Sequence, residues 1–139
     1  MKRGKINIEY SSTQNDVKVE LELVDETIWL TAHEIADTFN VFISAVTSNL
    51  RVIEKNDEAF FNENTSELKF TKKGVTYYST LYNLDIIMEL VFRIKSGYCK
   101  LFRAWIRNNI KESISKTNKQ TILLDISKLH SIGSVSPLS

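Results

Sequence analysis

One cysteine, one proline, four glycines and two histidines in 139 residues already exclude several classes of protein. The lone Cys99 has no internal partner for a disulfide, so a disulfide-stapled secreted scaffold is ruled out and a cytoplasmic protein is the natural reading. Four glycines leave no Gly-rich loop to cradle a phosphate. No apolar run approaches the ~20 residues that a membrane span requires. The opening MKRGKINIEY is basic, but no apolar stretch follows it, so it does not read as a secretory signal. His33-Glu34-Ile35-Ala36-Asp37 carries Asp where a zinc-protease helix needs its second His. His33 therefore reads as an exposed first-turn residue, and no set of metal ligands has workable spacing. Cys99 has no His partner in sequence. Lys100 beside it would lower its thiol pKa, yet a partly buried, inert cysteine is the better reading. Ser66-Glu67-Leu68-Lys69 fits Ser-x-x-Lys, a tetrad frequent by chance, and it falls in an expected strand. The expectation is a protein without catalytic activity and without a cofactor.

What is present fits one domain. Hydrophobic residues make up 42% and charged residues 25%, close to globular averages, and the length suits one modest core with a tail. The net charge of +1 conceals a division along the chain. Residues 1–66 hold 6 Lys/Arg and 12 Asp/Glu, whereas residues 67–139 hold 12 and 5. A basic half of this kind suits a polyanion, or an acidic patch on another copy of the chain.

Periodicity predicts the elements. KINIEY and VKVELELV alternate apolar and charged residues and read as a β-hairpin around STQND. Thr31 followed by Glu34 has capping-box spacing, which starts a helix near Ala32 with Ile35, Ala36 and Phe39 inward. Asn40 tolerates the left-handed turn that would end it. A second helix follows over about 43–55 with Val46, Leu50 and Ile53 inward, giving a helix-turn-helix pattern. NDEAFFNENTSELKF reads as a loop running into a strand. TKKG is the turn and GVTYYSTLY the partner strand, so a helix pair followed by a hairpin gives the order of a winged helix-turn-helix, with Lys72 and Lys73 at the wing tip. Asn83 is placed to cap a largely apolar helix, LDIIMELVFRI, broken at Ser96-Gly97. A longer helix over about 98–115 comes next. Residues 117–139 read as a tail, with a short helix near 121–130 and then disorder.

The last long helix is the most informative element. At about 100° per residue, Lys100, Arg103, Arg107 and Lys111 fall within a stripe of about 80°, opposite Tyr98, Leu101, Phe102, Trp105 and Ile106. A stripe of one sign gives up the i,i+4 ion pairs that surface helices usually gain. A phosphate-binding face and a plain solvated face both remain open. Arg93 and Arg103 have a structural alternative too: a buried guanidinium needs a partner, and for Arg103 the candidates are Asp85 and Glu89. Phe102 and Trp105 read as core.

Three blocks in this chain occur in a characteristic order. They are Asp25-Glu26-Thr27-Ile28-Trp29-Leu30-Thr31, then Tyr82-Asn83-Leu84-Asp85-Ile86-Ile87, then Arg93-Ile94-Lys95-Ser96 with Phe102-Arg103-Ala104-Trp105. Together they resemble the RhuM family over residues from about 5 to 112. The resemblance implies a bacterial protein of mobile-element, phage-related or virulence-associated type, similar to the amino-terminal DNA-binding domains of phage antirepressors. It implies no enzymatic activity. One departure stands out. Where the family has Lys-Gln-Asn near the start of the second helix, this chain has Ile43-Ser44-Ala45, and Asn49 stands where the family has His. Lys, Gln and Asn reach phosphates and base edges, and their replacement leaves Ser44, Thr47, Ser48 and Arg51 as the polar face. Exposed Phe42 and Ile43 would suit a protein contact.

The expected fold is α+β: a winged helix-turn-helix-like domain over residues 1–116, with an N-terminal β-hairpin and C-terminal helices. The expected function is non-catalytic DNA binding or regulation. Ser44, Thr47, Ser48, Arg51, Lys72, Lys73, Arg93, Lys95, Lys100, Arg103, Arg107 and Lys111 are the candidate contacts. Double-stranded DNA is the expected partner and a homodimer is plausible. The alternative is a protein-interaction module, associated with a toxin or a regulator, that does not touch DNA itself.

Overall fold

A computed structural model describes residues 2–14 and 16–117. Among them are two antiparallel hairpins and five helices, an α+β arrangement. The expected short helix near 121–130 and the disordered tail lie outside the described residues.

The chain opens with β1 (Lys5–Ser11) and β2 (Asp16–Glu22), paired in the register Ile6↔Leu21 and Ile8↔Val19. Alternation sends Ile6 and Ile8 into the core, while the charged positions face outward and pair locally, Lys18 with Glu20 and Lys5 with Glu22. Gly4 precedes this hairpin at φ +73, and a Cβ there would run into the Glu22 carbonyl oxygen, so glycine is required. A tight turn follows at Asp25-Glu26, both at positive φ, closed by reciprocal hydrogen bonds between Val24 and Thr27 at 2.9 and 3.1 Å.

The capping box forms as expected at the start of α1 (Ala32–Phe39): Thr31 Oγ1 accepts from the Glu34 N–H, and the Glu34 carboxylate accepts from the Thr31 N–H. Asn40 takes the left-handed conformation at φ 53, and its N–H closes onto the Ala36 and Asp37 carbonyls. The helix α2 (Ile43–Asn56) then buries Val46, Leu50 and Ile53. Residues 58–63 are not a loop. They form a short helix α3 (Glu58–Glu63), started by the Asp57 carboxylate accepting from the Phe60 N–H and held by burial of Phe60 and Phe61.

The second hairpin is β3 (Thr65–Lys72) with β4 (Val75–Tyr82). Its two-residue turn is Lys73-Gly74, at φ 51 and φ 76, the type I′ signature. Only its base is embedded. Leu81 is fully buried, and Tyr82 pairs with Leu30 through two backbone hydrogen bonds. Asn83 caps α4 (Leu84–Arg93) by accepting from the Ile86 N–H, and its amide donates to Asn64 Oδ1 at 2.7 Å, joining the end of α3 to the start of α4. The helix is two-sided rather than apolar all round: Ile86, Ile87, Leu90 and Val91 are buried, while Asp85, Phe92 and Arg93 face outward.

The chain re-enters helix at α5 (Gly97–Thr117). Ser96 supplies the cap, its hydroxyl accepting from the Cys99 N–H at 3.1 Å and its carbonyl from the Lys100 N–H. The core gathers β1, α1, α2, α3, α4 and the first turns of α5, with Phe39 and Phe102 edge-to-face at its centre. Trp105 is half-buried and stacks on Phe102 at the margin of this core.

Candidate functional site

The twelve candidate contacts separate into three groups. On α2, Ser44, Ser48 and Arg51 are exposed and Thr47 is half-buried. Thr47 and Ser48 spend their hydroxyl hydrogens on the helix itself, donating to the carbonyls of Ser44 and Ala45, and Asn49 likewise donates to Ala45. Their oxygens remain as acceptors, which suits base amino groups or waters better than phosphates. Thr47 and Arg51 line a shallow cleft of about 350 Å³ with Leu50, Glu54, Phe61, Thr80 and Tyr82. The outer face of α2 and the base of the second hairpin therefore share one depression. Burial raises the Tyr82 phenol pKa, a hydrogen bond with Thr80 opposes this, and Glu54 across the cleft adds to the rise.

Ile43 does not stand exposed beside Phe42. It is half-buried and packs on the core, because the first turn of α2 leans on α1. Phe42 alone projects, 84% exposed, immediately before the helix.

The second group is the hairpin tip, where Lys72 and Lys73 are exposed. The third lies on and before α5. Lys95, Lys100, Arg107 and Lys111 are exposed, and among the described residues none of them pairs with a carboxylate. The same holds for Arg51, Lys72 and Lys73. Helix α5 packs on α4, α1 and β2, and α2 packs on α1, α3 and α4, so the α5 stripe and the cleft share α1 and α4 as supports.

The remaining two arginines differ. The Arg103 guanidinium turns back from the stripe and donates to the carbonyls of Val91 and Ile94 at 2.6 and 3.1 Å, closing the C-terminal end of α4. No ion pair with Asp85 or Glu89 forms at Arg103. Glu89 lies instead 4.0 Å from Arg93, one turn along α4. Burial raises the Glu89 carboxyl pKa, and Arg93 partly offsets it.

The groups weighed as catalytic in the sequence lie as follows. Cys99 is buried, and burial pushes its thiol pKa up, against smaller downward effects from Ser96 and Arg103. Ser66 and Lys69 sit three apart on β3 and so point to opposite faces. Among the described residues no three His, Cys, Asp or Glu side chains gather as a metal site. No helix among them is long and apolar enough to cross a membrane.

One surface escaped the sequence reading. Phe70 and Tyr77 stand opposite each other on the second hairpin, stacked with centroids 5.4 Å apart, and both are exposed. The available signal was the strand register itself: with the turn at Lys73-Gly74, Phe70, Tyr77, Lys72 and Val75 share one face.

Comparison with family models, with curated proteins and with solved structures gave no match to this chain.

Proposed function

We propose that this chain binds double-stranded DNA as a non-catalytic regulator, with α1 and α2 as a helix-turn-helix and the β3–β4 hairpin as its wing. The observation that carries the proposal is the shared cleft: the polar face of α2, with Thr47 and Arg51, opens beside the base of a hairpin whose tip bears two exposed lysines. An α-helix of this size fits the major groove, and a projecting hairpin reaches the adjacent backbone. Support for a RhuM-like regulator of a bacterial mobile element, acting in the cytoplasm, comes from the three sequence blocks. Sequence readout on this reading is weak, because the face of α2 offers hydroxyls and a single arginine in place of bidentate amides. Phosphate contacts supply most of the affinity. Arg103 is removed from the set of contacts by its hydrogen bonds to backbone carbonyls, whereas Arg93, exposed and 4.0 Å from Glu89, stays in it.

The test is affinity for a labelled duplex. Replacing Arg51 with Ala and Lys72 with Ser is expected to weaken binding by about tenfold or more at low salt. Replacing Ser44 with Gln and Ala45 with Asn, while Ile43 stays in the core, is expected to sharpen discrimination between duplex sequences by ~1 kcal/mol or more. Unchanged affinity in the first variant would sink the proposed placement of α2.

Phe42 favours a second reading, a protein-interaction module. A phenyl ring 84% exposed at the mouth of α2 offers a partner an apolar anchor. In that case Phe42→Ser abolishes assembly with a second copy or another protein and leaves duplex affinity unchanged.

A further inference from the structure

The outer half of the second hairpin has more than two lysines to offer. From Leu68 to Thr80 it carries three lysines and no carboxylate. Phe70 and Tyr77 are 42% and 45% exposed, stacked nearly parallel at 19°, and followed on the same face by Val75 and the stem of Lys72. The face begins at the buried Leu81 and runs outward to exposed positions that no described residue buries. Tyr78 and Lys69 are paired on the opposite face, and Tyr78 is 60% exposed. Lys73 adds a further observation. It holds a left-handed conformation that asparagine or glycine adopts at less cost, so the turn chemistry alone does not select lysine there.

Flat rings interleaved with cations, without an acidic group among them, match nucleotides whose base faces are accessible. Rings stack on bases while ammonium groups hold the flanking phosphates. An intact duplex shows base edges in its grooves, not faces, so such a surface is used fully only where bases are unpaired or unstacked. We propose that the outer β3–β4 hairpin is a base-stacking surface, with Phe70 and Tyr77 as the platform, and that it directs the protein to duplexes containing unpaired or readily unstacked bases. This rests on the DNA-binding reading above and names the form of DNA that the wing prefers.

The experiment compares a fully paired duplex with the same duplex carrying a short central bubble, by fluorescence anisotropy at about 50 and 200 mM salt. The chain is expected to bind the bubble about tenfold tighter. The variant Phe70→Leu with Tyr77→Leu keeps apolar bulk but removes both rings. It is expected to lose that preference and to keep its affinity for the paired duplex. The variant Lys72→Ser with Lys73→Asn keeps the turn geometry, and its salt slope is expected to fall by about two. Circular dichroism establishes that each variant is folded, and for the ring-removal variant the unaltered duplex affinity does so as well. Equal binding of bubble and duplex by the parent chain overturns this proposal alone, as does an undiminished preference in the ring-removal variant. Absence of binding to either DNA overturns both proposals. A sedimentation shift from dimer to monomer on ring removal, with no change in DNA preference, assigns the face to self-association and overturns the stacking surface.

Discussion

Arg103 shows how far a single residue can depart from its wheel position. Its Cα belongs to a basic stripe, yet its guanidinium is held by two carbonyls at the end of α4. The bond partners lie 9 and 12 residues upstream and are backbone atoms, which carry no residue-type signal in a sequence. Much the same is true of other residues in the three sequence blocks. Thr27 accepts from the Leu84 N–H, Leu30 pairs with Tyr82, Thr31, Asn83 and Ser96 cap helices, and Phe102 fills the core. These blocks specify the frame, and the proposed DNA-contacting surface of α2 and the second hairpin lies between the first two of them. Arg103→Gln is expected to cost about 1.5–3 kcal/mol in denaturant unfolding, with little loss of DNA affinity once the protein is folded. A second expectation concerns acid. Burial would raise the Glu34 carboxyl pKa, but hydrogen bonds from Arg3 and Thr31 outweigh it and hold the carboxyl below the ordinary value. A depressed carboxylate stabilises the fold fully above its unfolded pKa, about 4.3, and that contribution is lost as pH falls through the lower folded value. Thermal unfolding from pH 6 to pH 2.5 should therefore show a smaller acid-induced loss in Glu34→Gln than in the parent chain. Equal losses would contradict this.

At the level of elements, the legible parts were those with local chemistry. The capping box, the left-handed Asn40 and the Asn83 cap each place their signal within four residues of the boundary they set, and all three boundaries are observed. Helix α3 was not legible, because six residues are too few for a 3.6-residue period to show and its cap is a single Asp57. The tight turn at Asp25-Glu26 was hidden for a different reason. Asp25 suits the first position of such a turn, but the second normally takes Gly, and Glu26 stands there. Glu26→Gly should consequently stabilise the fold by about 1 kcal/mol, read as a higher denaturation midpoint at unchanged slope. A lower midpoint would mean that the Glu26 side chain makes a compensating contact. Ile43 was not legible as a core residue, because its burial depends on the first turn of α2 abutting α1, a contact that leaves no mark in the sequence.

For the whole molecule, the division of charge along the sequence survives only in part. Helices α4 and α5 from the basic half pack on α1, α2 and β2 from the acidic half, so the two halves are interleaved. Several acidic side chains of the first half are engaged close to home, Glu20 and Glu22 within the first hairpin and Glu34 with Arg3. The cations left without a carboxylate among the described residues include Arg51, the tip lysines, and Lys95, Lys100, Arg107 and Lys111. That imbalance is the physical basis of the DNA-binding account. The measurement that tests it most directly is fluorescence anisotropy with a random-sequence duplex between about 50 and 200 mM salt. If about six of these cations meet phosphates, affinity is expected to fall by ~10³ across that range. The Lys100→Ala, Arg107→Ala, Lys111→Ala triple variant, folded by circular dichroism, should then show a shallower slope. No binding at 50 mM, or an affinity that does not change with salt, would contradict the account.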